Sequence, residues 1–199
     1  MEFLKMQINK QTITLQTERL ILRPFEESDF EAVHSYASNY ENIKHMTFGP
    51  NKEEHTKEFI KNAINKANTV PQTEYEFAIT LRENEKLIGA CGLHTNKELT
   101  EGNLGWVLHM DYWKKGFGTE FAHELLRFGF EELNLHRIYA TCDADNYGSY
   151  RVMERNGMRR EGYFKQCRPG RKCDPDKWYD DLHYAILKEE WENGKQQGN

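Results

Sequence analysis

Residues 113–120 read Trp113-Lys114-Lys115-Gly116-Phe117-Gly118-Thr119-Glu120. The apolar residues that follow recur at helical intervals, so this stretch predicts a glycine-containing turn that leads into a long amphipathic helix. Free backbone N–H groups at the first turn of a helix carry about half a positive charge, and glycine lets a diphosphate approach the main chain without a Cβ in the way. Lys114 and Lys115 add charge at the same place. The stretch therefore predicts a phosphate-binding site.

Length and composition narrow the class of protein. The chain has 199 residues, of which 38% are hydrophobic and 13% aromatic. This suffices for one well-filled core and is short for two ordinary domains. We therefore predict a single domain over 1–199, with its core at about 12–188 and a polar C-terminal tail, 189–199, that frays.

Charge and apolar runs exclude several partners. The 27 basic and 32 acidic residues give a net charge of −5, so no broad positive field favours nucleic acid, and cationic partners are mildly favoured. No apolar run approaches the roughly 18 residues of a membrane span, and residues 1–10 lack the apolar core of a secretion signal. We predict a cytoplasmic protein that binds neither nucleic acid nor a membrane.

Cysteine and histidine positions do not predict a metal site. Cys91, Cys142, Cys167 and Cys173 form no C-x-x-C pair, and the eight histidines show no i, i+4 pair on a predicted helix. We expect reduced thiols, because the cytosol is reducing. For the same reason, a Cys167–Cys173 disulfide is disfavoured. The charged loop 167–174 either recognises a carboxylate or phosphate or is simply solvated.

Strand and helix signals alternate along the chain. Segments 12–15 and 20–23 read as strands. The residues Ser28-Asp29-Phe30-Glu31 have the spacing of a capping box, which predicts a helix that begins at Ser28. Asn51-Lys52-Glu53-Glu54 predicts the start of a second helix. Alternating apolar residues predict an antiparallel meander of three strands at 75–81, 86–93 and 103–108.

The second half of the chain begins with the helix after the glycine turn. We expect this helix to run for about four turns and to end near Asn134. A strand at 137–142 and a short helix at 150–155 follow, and Asn156-Gly157 closes that helix. Two further strands, 159–165 and 179–187, complete the predicted fold.

Four blocks of sequence together resemble one family. They are TERLILRP at 17–24 with Asp29, LGWVL at 104–108 followed by YWKKGFGTE at 112–120, NYGSYRVMERNGM at 146–158 with Glu161-Gly162, and WYD at 178–180 with YAIL at 184–187. In this order and spacing they resemble the GNAT superfamily of N-acetyltransferases, specifically its ribosomal-protein (RimJ/RimL-type) branch. The resemblance covers nearly all of 15–187.

The resemblance implies an α/β (α+β) fold, in which a central, mixed and mostly antiparallel sheet of about seven strands is flanked by about four helices. The central strand, 103–108, splays from 137–142, and acetyl-CoA lies in the opening as a co-substrate. Its pantetheine arm pairs with the backbone of Trp106, Val107 and Leu108, where exposed N–H and C=O groups act as a partial sheet edge. The diphosphate sits on the glycine turn, which assigns cofactor binding to Trp113, Lys114, Lys115, Gly116, Phe117, Gly118 and Thr119.

Three positions depart from the family pattern. Many members have glycine where Lys114 stands, so Lys114 either strengthens the phosphate contact or faces solvent. The wider superfamily prefers Arg or Gln where Trp113 stands. Related enzymes often use a tyrosine as the acid where Met153 stands, and Met153 cannot donate a proton.

The implied reaction is direct attack of a primary amine on the thioester in a ternary complex. The carbonyl oxygen needs support as it gains charge, and the backbone N–H of Val107 or Leu108 is the candidate. Ser149 is the candidate that protonates the departing thiolate beside the cofactor, or else it only caps a helix. Asn146 either binds the pantetheine arm or is a plain N-cap.

The general base is not evident from the sequence. By family position or proximity in the implied fold, Asp180, Glu161 and His94 are candidates. We assign Asp180 as the catalytic carboxylate, with pairing to a loop as the alternative. An N-terminal α-amine, with a pKa near 8, needs only a weak base, whereas a lysine at about 10.4 needs a stronger one.

The acetyl acceptor stays open at this point. It is either the N-terminal amine of a ribosomal protein or a small-molecule amine. A second class of function also fits the sequence, namely an acetyl-CoA-binding regulatory or ribosome-assembly protein with little turnover. Both a monomer and a homodimer are compatible with the sequence.

Overall fold

The computed structural model describes residues 13–170 and 174–197. Its strands are β1 (Leu15–Gln16), β2 (Leu20–Arg23), β3 (Glu74–Leu81), β4 (Leu87–Thr95), β5 (Glu101–Leu108), β6 (Arg137–Asp143), β7 (Arg159–Pro169) and β8 (Trp178–Leu187). These eight strands form one sheet in the order β1-β2-β3-β4-β5-β6-β8-β7. Neighbouring strands are antiparallel except β5 and β6, which are parallel.

Helices cover both faces of the sheet. They are α1 (Phe30–Ala37), α2 (Tyr40–Ile43), α3 (Glu53–Ala67), α4 (Phe117–Arg127), α5 (Tyr147–Arg155) and α6 (Lys188–Gln197). The predicted α/β fold with a mixed, mostly antiparallel sheet is confirmed, with eight strands instead of about seven. Among the described residues, none of the helices has the length and apolarity that a bilayer crossing requires.

The sheet separates two layers of core. Side chains alternate between its faces along β3, β4 and β5, as their period-two patterns predict. One face packs against α4, α5 and α6 around Phe121 and Leu125. The other packs against α1 and α3 around Val33 and Ile60. The central strand β5 therefore contributes side chains to both layers.

The long helix after the glycine turn ends where the sequence predicts. α4 continues into a wider turn, Phe128–Glu132, in which the N–H of Leu133 donates to the C=O of Phe128 at 3.1 Å. Asn134 then adopts a left-handed φ of 58°. Asparagine tolerates this conformation better than most residues, so it ends the helix at that point.

The first helix begins later than predicted. Residues Glu27–Asp29 form a 3₁₀ turn, and α1 starts at Phe30 instead of Ser28. The capping box closes on Glu26, whose N–H donates to the Asp29 carboxylate at 2.8 Å. Arg23 donates two further bonds to this buried carboxylate, at 2.7 and 2.9 Å. Asp29 therefore fixes the corner between β2 and α1, because its carboxylate accepts bonds from both sides of the corner.

The C-terminal tail, which the sequence predicts to fray, contains a helix. α6 extends from Lys188 to Gln197. Its anchor is the buried side chain of Trp191, which packs on the rings of His123 and Phe130 at centroid distances of 4.8 and 5.9 Å. One large apolar residue in a polar segment gives no periodic pattern, so the sequence did not predict this helix.

Some predictions fall outside the described residues. They concern residue 12 of the first predicted strand, loop residues 171–173 with Cys173, and residues 198–199 of the tail. Cys91, Cys142 and Cys167 are free thiols, of which Cys167 is exposed.

The central strands separate as the resemblance implies. β5 and β6 pair from Glu101–Arg137 as far as Leu104–Ala140. Both strands continue beyond this point, to Leu108 and Asp143 respectively. The sheet is therefore open between the second half of β5 and the end of β6.

Candidate active site

The opening between β5 and β6 exposes backbone groups of β5. The C=O of Glu101 and the N–H of His109 both bond across to the β4 side, at 3.1 and 2.8 Å. Successive residues of a strand direct their backbone groups to opposite sides, so the even-numbered residues direct theirs toward β6. Because pairing with β6 stops at Leu104, the N–H and C=O groups of Trp106 and Leu108 face the opening.

The carbonyl of Leu108 is already occupied. The indole N–H of Trp113 donates to it at 2.8 Å, and the side-chain amide of Asn42 donates at 3.1 Å. Asn42 in turn accepts the N–H of Met110 at 2.6 Å. The groups left for a ligand are therefore both backbone groups of Trp106 and the N–H of Leu108. Trp113 contributes its side chain to the end of β5.

The turn after β5 presents a row of backbone donors. Among the described residues, no acceptor takes a hydrogen bond from the N–H groups of Lys114 to Thr119, and the first helical bond joins the N–H of Glu120 to the C=O of Gly116. Lys114 and Gly116 have left-handed φ values of 61° and 84°. This conformation suits glycine better than lysine. A row of free donors at a helix start is the arrangement that binds phosphate.

A hydrogen-bonded cluster at the start of β2 braces this turn. The Glu120 carboxylate accepts bonds from the Thr17 hydroxyl (2.5 Å), the Arg19 N–H (2.8 Å) and the Arg19 guanidinium (2.7 Å). Arg19 also donates to the C=O of Lys115 at 3.1 Å and lies 4.4 Å from the centre of the Phe117 ring. Burial works to raise the pKa of Glu120, but the bonds from Thr17 and Arg19 outweigh it and lower the pKa.

This bracing role was not predicted. The sequence showed Thr17 and Arg19 only as part of a family block, without a partner. The sequence signal that could have indicated this contact is the presence of both the 17–24 block and Glu120 at the end of the glycine turn. No local pattern connects the two segments.

Gly118 has a packing role beside its predicted role in cofactor binding. A Cβ built on Gly118 lies 2.8 Å from Cγ2 of Val152 in α5. The side-chain amide of Asn156 donates to the C=O of Thr119 at 3.2 Å, so α5 rests directly on the first turn of α4. Glycine at this position lets the two helices approach closely.

α5 begins beside the opening with Asn146 and Ser149. The side-chain oxygen of Asn146 accepts the N–H of Ser149 at 3.1 Å, which is the geometry of an N-cap. The Ser149 hydroxyl is half-buried and has no hydrogen-bond partner in 13–170 or 174–197. Because β5 and β6 are parallel, α4 and α5 begin at the same edge of the sheet. Met153 lies in the buried core.

Two of the base candidates are engaged in other contacts. The Asp180 carboxylate accepts bonds from the Tyr163 hydroxyl and from the N–H of Gln166 (2.7 Å), and these bonds lower the pKa of Asp180. Glu161 pairs with Arg137 and Arg159, each at 2.6 Å, and the bond from Arg137 is the main cause of its lowered pKa. Arg137 lies where β5 and β6 are still paired, away from the opening.

A cavity of about 480 Å³ lies on the α1 and α3 side of the sheet. Its lining includes Trp106 and Val107 of β5, so it adjoins the opening. The third base candidate, His94, lines this cavity, and its Nε2 lies 2.8 Å from Oε1 of Glu76. Glu76 is a lining residue that sequence reasoning did not single out. Among the described residues, no group of three His, Cys, Asp or Glu side chains is arranged to hold a metal ion.

Comparison with known proteins gives one consistent family. Residues 19–159 match the family model described as an acetyltransferase (GNAT) domain. The chain is 40% identical over 177 residues to the uncharacterized N-acetyltransferase YnaD of Bacillus subtilis (strain 168), which covers 89% of this chain and 98% of the relative.

Solved structures agree with this match. The crystal structure of a GNAT-family acetyltransferase from Bacillus anthracis has a TM-score of 0.78 at 38% identity, covering 89% of this chain and 99% of that one. The apo structure of RimL, a ribosomal L7/L12 alpha-N-protein acetyltransferase, has a TM-score of 0.76 at 17% identity, covering 88% and 94%. At that identity, RimL shows the fold alone.

Proposed function

Because the chain belongs to the GNAT family of acetyltransferases, we propose that it transfers the acetyl group of acetyl-CoA to a primary amine by direct attack in a ternary complex. GNAT acetyltransferases use acetyl-CoA. The observation that carries the proposal is the opening between β5 and β6, where Trp106 and Leu108 direct backbone groups outward beside the donor-rich turn of α4. Strand edge and helix start together match a ligand that has amide groups and a diphosphate.

The diphosphate of acetyl-CoA lies against the turn from Lys114 to Thr119. Its N–H groups have no acceptor among the described residues, and the positive end of the α4 dipole adds to their attraction for anions. Arg19 and Glu120 hold the turn in this shape through bonds to its backbone and to each other. The neighbouring ammonium groups of Lys114 and Lys115 add positive charge, while the backbone supplies the geometry.

The thioester carbonyl lies against the end of β5. Of the two predicted donors, Leu108 directs its N–H into the opening, whereas the N–H of Val107 points toward β4. We therefore assign oxyanion support to the N–H of Leu108. A fixed backbone donor aimed at the developing charge lowers the barrier most where water is excluded.

Ser149 donates a proton to the departing thiolate. Its hydroxyl has no competing partner among the described residues, and Asn146 fixes the first turn of its helix. Asn146 therefore positions Ser149 while its side-chain N–H groups remain for the pantetheine arm. The carboxylate of Asp180, the third catalytic candidate, is held by two bonds that lower its pKa.

Two measurements on the purified protein test the proposal. Calorimetry measures acetyl-CoA binding, and a thiol reagent follows the release of CoA in the presence of a panel of primary amines. We expect binding and an amine-dependent release of thiol. Absence of binding would refute the cofactor site. Tight binding without release across the panel would favour a regulatory acetyl-CoA-binding protein instead.

A further inference from the structure

We propose that the cavity beside β5 binds a small primary monoamine with an apolar body, and that Glu76 holds its ammonium group and accepts its proton. This inference rests on the proposed function and deepens it, because it names the acceptor class and the base. The cavity has about 480 Å³, which lies within the range of small-molecule sites. It adjoins Trp106, whose backbone faces the opening on the other edge of β5.

The floor of the cavity is made of two glycines. Gly92 of β4 and Gly105 of β5 are direct partners across the sheet, and Glu76 of β3 is the next partner in the same row. A Cβ built on Gly105 meets no heavy atom within 4 Å. The missing side chain therefore leaves open space above the strand that holds the thioester. An amine in that space reaches the edge of β5 without crossing a side chain.

The Glu76 carboxylate points over this floor. Its Oε1 pairs with His94 at 2.8 Å and lies 3.5 Å from Nζ of Lys66. Its Oε2 has no hydrogen-bond partner among the described residues and lies 2.8 Å from the position that a Cβ on Gly92 would take. The backbone of Glu76 in β3 lies two strand spacings, about 10 Å, from β5. Its side chain extends over part of that distance. The free oxygen is thus directed toward the floor at Gly105.

The charges in the lining fit one ammonium group. Glu76 supplies the carboxylate of the lining. The other titratable side chains of the lining are Tyr36, His55, Cys91 and His94. A polyamine would bring a second ammonium group without a second carboxylate to receive it, and a buried unpaired charge is costly. The rest of the lining is largely apolar and includes Val33, Met46, Phe48, Phe59 and Val107. This composition selects an aromatic or branched aliphatic body.

The transfer begins with deprotonation of the amine. The ammonium group loses one proton to Oε2 of Glu76, which passes it to solvent. The amine nitrogen forms a bond to the thioester carbon, the carbon–sulfur bond breaks, and the electron pair stays on sulfur. The sulfur takes a proton from Ser149, which recovers one from the nitrogen through solvent. The products are an N-acetyl amine, CoA with a free thiol, and one released proton.

The test compares three variants with the wild-type protein. Glu76→Gln removes the charge at nearly constant shape, and Glu74→Gln is its control, because Glu74 also pairs with Lys66 but does not line the cavity. Gly105→Val fills the floor, where a Cβ at residue 105 meets no heavy atom within 4 Å. For each protein, steady-state kinetics use 2-phenylethylamine, isoamylamine, spermidine and an alanine-terminated peptide, and calorimetry measures acetyl-CoA binding.

We expect the two monoamines to be the preferred substrates. Glu76→Gln lowers kcat/KM for them by about 100-fold or more, whereas Glu74→Gln leaves it near the wild-type value. Gly105→Val raises KM by about tenfold or more. None of the variants changes acetyl-CoA affinity, which shows that the cofactor site is intact.

The proposal is overturned if Glu76→Gln and Glu74→Gln behave alike, if Gly105→Val turns over phenylethylamine normally, or if spermidine or the peptide is the preferred acceptor. Turnover of no monoamine also overturns it. In all of these cases, acetyl-CoA binding by the wild-type protein leaves the proposed cofactor site standing. Loss of that binding in the wild-type protein would refute the proposed function itself.

Discussion

Substitution of Gly118 distinguishes two explanations for the presence of glycine in the phosphate-binding turn. One explanation is that a diphosphate needs the bare backbone, and the other is that Val152 needs the space. A Cβ at residue 118 would lie 2.8 Å from Cγ2 of Val152, closer than non-bonded carbons approach in proteins. Gly118→Ala therefore forces α4 and α5 apart or moves Val152 out of its rotamer.

The change in the free energy of unfolding caused by Gly118→Ala is the sum of two opposing effects. Overpacking costs about 1–3 kcal/mol, whereas alanine favours a helix over glycine by about 1 kcal/mol. Gly118→Ala should therefore destabilise the protein by about 0–2 kcal/mol. Val152→Ala alone should cost about 1 kcal/mol, because its half-buried side chain loses two methyl groups. In the double variant the clash is absent, so the coupling energy between the two sites should be about 1–3 kcal/mol.

Urea denaturation of the four proteins gives the coupling energy, and calorimetry gives their acetyl-CoA affinities. We expect the double variant to recover both stability and affinity relative to Gly118→Ala. A coupling energy near zero would refute the packing argument. If affinity is lost in Gly118→Ala and Val152→Ala does not restore it, then the diphosphate itself requires glycine at this position.

Three further changes test the turn. Trp113→Phe removes the donor to the Leu108 carbonyl, so the calorimetric Kd for acetyl-CoA should rise about 3–10-fold; an unchanged Kd would contradict the role of Trp113. Gly116→Asp places a carboxylate beside the diphosphate and should weaken binding by more than about tenfold, whereas the control Gly116→Asn tolerates the left-handed φ of 84° and keeps the site neutral. Glu120 has a lowered pKa in the folded protein, so its stabilisation is complete above its unfolded pKa of about 4.3 and is lost as the pH falls through the folded value. Urea denaturation should show wild-type stability falling below about pH 4 more than that of Glu120→Gln, and parallel pH curves would contradict this.

Local sequence patterns predicted the elements that have a regular period. The alternating residues of β3, β4 and β5 and the helical stripe of α4 bury faces that repeat along the chain, so a single segment contains the whole signal. α6 lacks such a repeat, because Trp191 alone anchors it. The start of α1 was misplaced because Asp29 accepts from Glu26 and Arg23, which come before the predicted box.

The candidate site was predicted only where backbone supplies the binding. The turn at Lys114–Thr119 follows from glycine and helix signals within a few residues of each other, and the edge at Trp106 follows from the family resemblance. By contrast, the contact of Arg19 with Glu120 joins residues 101 positions apart, and the row from Glu76 to Gly105 depends on strand register. Such contacts exist only after folding, so no spacing in one sequence encodes them.

Even-numbered and odd-numbered residues of β5 face different parts of the candidate site. Its even-numbered residues turn their backbone groups to the opening and their side chains to α4, as Trp106 does against Phe121. Its odd-numbered residues bond to β4 and turn their side chains to the cavity, as Val107 does. In the proposed site, the acetyl donor and the amine therefore approach β5 from different directions, and Gly105 is the position at which we expect a side chain to block the amine alone. This separation is why a change at residue 105 should affect acceptor kinetics without affecting acetyl-CoA affinity.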